Sequence, residues 1–262
     1  MIKDNKLMLP KPRHLLVDGD IVAYKISYSC EEAIHWGDDM WTLHSDAEEG
    51  RIQVDIYLEN LKQELEAKNI TVFLSDSQNF RKEFFPEYKA NRKNVRKPLI
   101  LKAMREHLIK EWGALVEEKL EADDYIGIEA TVDDSNYDRV IVSIDKDFKT
   151  VPCYLYNPDK SDEGVLKISK WEADRNHLHQ TLTGDSSDNY SGCPKIGPKT
   201  ADKLFAGKEE QFELWEAVLK QFDKAELSDS HALTQARVAR LLRTGEYDFN
   251  TKKIKLWSPP KK

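Results

Sequence analysis

Three stretches of this chain run apolar for a few residues and then end in acid. They are HLLVDGD (Asp18, Asp20), TVFLSDS (Asp76) and RVIVSIDKDF (Asp145, Asp147). Short continuous runs rich in branched side chains predict strands buried on both faces, the pattern of a parallel sheet covered by helices. Helical periodicity fills the intervals. Between the first two runs, VDIYLENLKQELEAKN places Val54, Tyr57, Leu58, Leu61 and Leu65 on one helical face. A fourth strand is predicted at GALVEEKL. In an open parallel sheet, ligands gather at the carboxyl ends of the strands, so the acidic endings are expected to share one crevice.

More acids follow. LEADDYIG supplies Glu121, Asp123 and Asp124, and TGDSSDNYSG supplies Asp185 and Asp188. Were Glu121 to open a helix, Asp124 would share its face. Helix capping accounts for one or two such residues, but not for acids at every strand end. The candidate set is therefore Asp18, Asp76, Glu121, Asp123, Asp124, Asp145, Asp147, Asp185 and Asp188. So many carboxylates in one crevice repel one another unless cations are shared among them. Oxygen donors suit Mg²⁺, with Mn²⁺ as a substitute. Two such ions roughly 4 Å apart can activate a water and stabilise the leaving oxygen of a phosphodiester. His177 and His179 have no third partner in the sequence and are expected to be structural or surface residues.

Net charge is −7, an acidic balance that argues against a nucleic-acid partner until its distribution is considered. Arg81 to Lys110 holds ten Lys and Arg against three Glu, a local surplus of +7 that leaves −14 elsewhere. Within it, FRKEFFPEYKANRKNVRKP interleaves Arg81, Lys89, Arg92, Lys93, Arg96 and Lys97 with Phe80, Phe84, Phe85 and Tyr88. Cations mixed with aromatics suit a single nucleic-acid strand. A solvated helix face is the alternative, with part of the aromatic set in the core. Pro98 is placed to start a helix carrying Leu101, Met104, Leu108 and Trp112. Past Asp188, SGCPKIGPKTA offers Gly192 and Gly197 for close backbone approach, Lys195 and Lys199 for charge, and a helix start near Thr200. That combination suits phosphate; a plain Gly/Pro connector is the alternative.

The segment CYLYNPDKSDEG is expected to be a hairpin or connecting loop, and the chain from Trp171 onward mostly helical. Phe212, Trp215, Leu219 and Phe222 form an apolar stripe, and HALTQARVARLLRTGEY suggests another helix. Cys30, Cys153 and Cys193 lack paired spacing and are expected to be free thiols in a reducing compartment. No apolar run nears the ~18 residues of a membrane span, and MIKDNKLMLPKPRH shows no secretory h-region. A cytoplasmic protein with no membrane partner is expected.

Taken in order from about Leu15 to Phe205, LLVDGD, FLSDS, FRKEFFPEYKANRK, LEADD, SIDKDF and TGDSSDNYSGCPKIGPKTA resemble the 5′-nuclease superfamily. This comprises flap endonucleases and 5′→3′ exonucleases, and the likeness is closest to short phage exonucleases. The resemblance implies an α/β fold: a PIN-like parallel-sheet core flanked by helices, a helical arch, and a C-terminal helix-three-turn-helix region. Residues 1–175 would form the catalytic core, with the basic arch at about 80–110, and 176–262 a helical DNA-binding region with a tail. It assigns metal binding to all nine carboxylates, with Asp145 and Asp147 catalytic, and puts Lys89 and Arg92 on the arch at the scissile phosphate. It implies cleavage of DNA at or near 5′ ends, leaving a 5′-phosphate, and removal of flaps and RNA primers in replication. The expected partners are DNA with 5′ ends, flaps, nicks or gaps, RNA–DNA hybrid, and replication proteins, in a bacterial host if the chain is phage-encoded.

Two positions depart from the pattern: Asp20, where many relatives are neutral, and Lys195, where glycine is frequent. Two rivals compete. A haloacid-dehalogenase-like phosphatase would use Asp18 and Asp20, but it leaves LEADD and SIDKDF without a role. A catalytically inactive nucleic-acid-binding protein would leave the clustered charge unused.

Overall fold

The computed structural model describes residues 9–133 and 136–260. Most of the stretch read for a leader, and the last two lysines, lie outside them. The chain opens with β1 (Arg13–Asp18), α1 (Gly19–Ser29) and a hairpin of β2 (Glu32–Gly37) and β3 (Met40–His44). It continues through α2 (Ala47–Glu64), β4 (Ala67–Leu74), the short α3 (Arg81–Phe84) and α4 (Leu101–Trp112). Then come β5 (Leu115–Val116), α5 (Ala122–Ala130), β6 (Asp138–Val142), β7 (Cys153–Tyr156) and β8 (Val165–Ile168). Four helices follow, α6 (Lys170–Thr183), α7 (Pro198–Phe205), α8 (Gln211–Lys224) and α9 (Asp229–Ala239), and a small ribbon of β9 (Tyr247–Asp248) and β10 (Lys253–Ile254).

The main sheet has the order β5-β4-β1-β6-β7-β8. Its first five strands are parallel and β8 is antiparallel to β7. β1 sits between β4 and β6, which is why its apolar run is continuous. Leu15 and Val17 pack into the layer of α1, α2 and α4, whereas Leu16 packs with Phe73, Ile126 and Ile141 on the opposite face. The alternation is the two-residue period of a strand buried on both sides.

The helical readings hold with shifted ends. Val54, Leu58 and Leu61 are buried along α2, but the helix stops at Glu64, and Ala67–Asn69 open β4 instead. Met104 and Leu108 are the buried face of α4, which starts at Leu101, three residues after Pro98. The expected fourth strand shrinks to Leu115–Val116, exposed at the sheet edge. CYLYNPDKSDEG becomes β7, a 3₁₀ turn over Pro158–Glu163, and the turn into β8. Leu214, Trp215, Val218 and Phe222 of α8 join α6, α7 and α9 in a separate apolar cluster.

The arch segment at about 80–110 holds α3, a 3₁₀ turn at Ala90–Arg92 and most of α4, and the stretch between the two helices forms a strap. The β2–β3 hairpin was not anticipated. Its sequence HWGDDMW places Gly37, Asp38 and Asp39 at positive φ between aromatic residues, a turn signature that the hydrophobic pattern alone does not bring forward.

Candidate active site

The carboxyl ends of β1 and β6 and the start of α5 bring acids together as their local structure requires. Asp18 ends β1 and caps α1, accepting from the Ile21 N–H at 3.2 Å. The Ser143 hydroxyl, just past β6, donates to the other Asp18 oxygen at 3.2 Å. Asp145 caps the next turn by accepting from the Asp147 N–H at 2.8 Å, and Gln180 of α6 donates to Asp147 at 2.7 Å. Glu121 precedes α5 and Asp123 lies in its first turn. Asp185 and Asp188 occupy the loop after α6, which closes on itself through paired backbone bonds between Asp185 and Tyr190 at 2.9 and 3.1 Å. A cavity of about 540 Å³ is lined by Asp18, Asp123, Asp145, Asp147, Asp185 and Asp188.

The strap crosses this cavity and supplies counter-charge. Lys89 donates to Glu121 at 2.6 Å and lies 3.7 Å from Asp188, while Arg92 donates to Asp188 at 2.7 Å. The Tyr88 hydroxyl is within hydrogen-bonding reach of both Glu121 and Asp188, at 2.8 and 2.9 Å. Lys146 lies 2.8 Å from Asp185. The strap is held by its backbone as well, with the Lys89 N–H donating to the Asp188 carbonyl at 3.0 Å.

The acids respond unequally. Burial, joined by the charge of Asp145, lifts Asp18 up to about 6. Burial and again Asp145 lift Asp147 up to about 7. Asp123 stands well above the usual carboxylate range, through burial and its neighbours Asp18 and Asp145. Burial also raises Asp188, against the opposing charge of Lys89. Glu121 and Asp185 go the other way. Burial would raise each, but Lys89 and Arg81 outweigh it at Glu121, and Lys146 and Ser187 at Asp185. The ammonium and guanidinium groups of the crevice thus leave negative charge unbalanced around Asp18, Asp123 and Asp147.

The donor set there is carboxylate oxygen only, which matches a hard divalent cation. Among the described residues no three of these groups already form a ready coordination sphere. Lys89, Arg92 and Lys146 hold several of the oxygens in ion pairs instead.

Several predicted residues are elsewhere. Asp124 is 0% exposed and faces the core, where both its oxygens accept from Arg81 and one also from the Leu242 N–H. Arg81 borders the crevice 3.6 Å from Glu121 but is itself 1% exposed and also donates to the Val238 and Arg240 carbonyls, so its donors are spent inside the protein. Asp76 folds a turn, accepting from the Ser77 and Lys119 N–H groups, and does not line the crevice. Gly192 is buried, with its N–H donating to Gln235 at 2.8 Å, so it offers no N–H to a phosphate. Its backbone lies against Gly184, where a Cβ would stand 2.3 Å from the Gly184 nitrogen. Phe80 and Tyr88 are 3% exposed and belong to packed clusters rather than a stacking platform.

Lys93, Lys97, Lys195, Gly197, Lys199 and Thr200 are exposed, and Arg96 pairs with Glu31 through two bonds of 2.7 Å. Lys195 takes a left-handed backbone at φ 65°, a conformation glycine adopts without strain. Asp20 is occupied by Arg105 and by the Ser75 N–H, so the phosphatase reading lacks a free second acid. The groups that sequence reasoning missed are Ser143, Lys146 and Gln180. Each is an ordinary polar residue whose only sequence signal is closeness to an acid motif.

Residues 13–158 match the family model described as 5′-3′ exonuclease, N-terminal resolvase-like domain. The chain is 32% identical to the exonuclease of Escherichia phage T7, over 94% of this chain and 93% of that one. It is 30% identical to the exodeoxyribonuclease of Enterobacteria phage T3, over 94% and 92%. Among solved structures, the bacteriophage T5 D15 protein co-crystallised with metal ions matches with a TM-score of 0.54 at 17% identity, over 87% of this chain and 93% of that one. A T5 D15 flap endonuclease pseudo-enzyme–product complex with DNA and metal ions matches with a TM-score of 0.55 at 14% identity, over 87% and 99%. These last two are likenesses of fold. The family model spans more than half the chain and the two phage relatives nearly all of it, so this chain belongs to the 5′-3′ exonuclease family.

Proposed function

We propose that this protein hydrolyses phosphodiester bonds of DNA from or near 5′ ends, as a 5′→3′ exonuclease with flap-endonuclease and RNA-primer-removing activity. Two divalent ions, Mg²⁺ with Mn²⁺ as substitute, would be held among Asp18, Glu121, Asp123, Asp145, Asp147, Asp185 and Asp188. When bound they supply an activated water and charge stabilisation at the leaving oxygen. The observation that carries this reading is the convergence of Asp18, Asp123 and Asp147, from three separate elements, with carboxyl groups all raised by burial and by one another's charge or that of Asp145.

The chain's own residues do the rest. Lys89 and Arg92 ride the strap over the acids and are placed to exchange a carboxylate partner for a phosphate oxygen. Arg92 is half exposed, so it is the first to meet an incoming strand. Ser143 and Gln180 fix the orientation of Asp18 and Asp147. Exposed Lys93 and Lys97 on the strap, and Lys195, Lys199 and the α7 start at Gly197 and Thr200, are assigned to the sugar-phosphate backbone. Residues 1–175 carry most of the cutting machinery, and 176–262 complete it with Gln180, Asp185 and Asp188 and supply the duplex-holding helices; the proposed setting is the cytoplasm, of a bacterial host if the chain is phage-encoded, among replication proteins. Among the described residues no helix is long and apolar enough to cross a membrane.

A series of 5′-labelled and 3′-labelled duplexes and flaps, incubated with Mg²⁺, with Mn²⁺ or with EDTA, tests the reading by product length. Metal-dependent release of short 5′ products is expected. Binding without cleavage in either metal, or turnover of small phosphate esters alone, would overturn it.

A further inference from the structure

The segment joining α9 to β9 walls a second cavity, of about 340 Å³, that shares no lining residue with the first. Its cations are Lys170, Arg240, Arg243 and Lys255, faced by the carboxylates of Asp174 and Glu246. The local balance is therefore positive. Both arginines are buried, at 5% and 9% exposure. Each guanidinium is fixed by part of its fork. Arg240 donates to the two Glu246 oxygens at 2.6 and 3.2 Å. Arg243 donates to Asp174 and to the Thr150 carbonyl, both at 2.7 Å. The remaining nitrogens, Arg240 Nη1 and Arg243 Nε, are buried with no hydrogen-bond acceptor in the protein. A buried charged donor without an acceptor is costly, and here two of them border one cavity. The field of the pair reaches His177, which burial and then Arg240 and Arg243 push down to about 3.

We propose that this cavity binds a phosphate-class oxyanion, whether free phosphate, the phosphate of a mononucleotide, or a phosphate of a nucleic-acid strand. Arg240 Nη1 and Arg243 Nε are charged donors still open to the oxygens of such a group, on guanidinium planes already oriented by Glu246, Asp174 and Thr150. Lys170 and Lys255 stand at the exposed rim and Thr244 adds a hydroxyl to the lining. The Arg240 carbonyl accepts from Arg81 at 2.6 Å, so the site abuts the scaffold of the crevice without being part of it. The proposal stands whether or not the crevice cuts DNA.

The test is calorimetric titration of the full chain in EDTA with inorganic phosphate, a deoxynucleoside 5′-monophosphate, and an oligonucleotide without terminal phosphate. The variants are Lys170→Gln/Lys255→Gln at the rim, Arg240→Gln inside, and Lys89→Gln in the crevice as a comparison. Saturable phosphate or nucleotide binding is expected, weakened about fivefold or more by the rim pair, lost in Arg240→Gln and kept in Lys89→Gln. Should the rim pair weaken the oligonucleotide alone, the oxyanion is a strand phosphate. Arg240→Gln can misfold, and the rim pair, being exposed, keeps the test decisive. Titrations unchanged in both the rim pair and Arg240→Gln would overturn the proposal, as would phosphate binding lost only in Lys89→Gln.

Discussion

Arg81 and Asp124 meet inside the core through two parallel N–H···O bonds of 2.6 and 2.7 Å, with side chains 1% and 0% exposed. Removing one member leaves a buried charge without its partner, a loss of about 3–5 kcal/mol. Arg81→Met and Asp124→Asn are each expected to lower the urea midpoint steeply, and Arg81→Met/Asp124→Leu to recover much of the loss. The folded fraction of each single variant should bind DNA as the unaltered chain does. A strong drop in affinity at unchanged stability would return Arg81 to the interface.

On the proposed function, Asp145→Asn and Asp147→Asn should keep DNA binding in EDTA and lose cleavage by about 100-fold or more, since each would remove charge where the reacting group needs it. Single-turnover cleavage beside equilibrium binding separates the two effects. Unaltered turnover in both variants would dissolve the site.

Protonation links the crevice to stability. Asp18 at about 6 and Asp147 at about 7 hold protons more tightly in the folded protein than in the unfolded chain, where an aspartate titrates near about 3.9. Their contribution is complete below the unfolded value and is lost as pH rises through the folded ones. The metal-free protein should therefore melt at a progressively lower temperature from pH 5 to about 7.5. Divalent ions should flatten that decline, and Asp147→Asn should remove part of it. Glu121 and Asp185, both held low, contribute in the opposite sense and lose their share as pH falls. A metal-free melting temperature that climbs across this window would contradict the assigned charges.

Lys93 and Lys97 are exposed on the strap. Each phosphate contact on duplex DNA adds about 0.9 to the slope of log affinity against log salt. Lys93→Ala/Lys97→Ala should flatten that slope by nearly 2 on this scale, with melting temperature unchanged. An unaltered slope would make the strap a plain solvated surface.

The sheet was legible because burial on both faces forces a continuous apolar run, and each run stops where the chain meets solvent. The acids at those stops, Asp18, Asp145 and Asp147, were legible for the same reason. Asp123 and Asp124 show where legibility ends. They are adjacent and identical in type, yet one turn of α5 aims the first at the crevice and the second at Arg81. Only the three-dimensional phase of the helix decides that. Arg81 was misread because a basic block counts charge without burial, although its neighbours Phe80 and Phe84 already marked a packed face. Gly192 was misread because close backbone approach was assigned to a ligand, whereas the chain itself comes close.

The back-to-back contact of Gly184 with Gly192 has a mechanical consequence. It pinches the chain into a short closed loop, with Asp185 beside the pinch, Asp188 midway round the loop and Lys195 just past the pinch. On the proposed function, the point of scission and the point of grip then move as one piece. The count of nucleotides between them becomes a property of this loop, a built-in ruler, and not of any hinge elsewhere in the molecule.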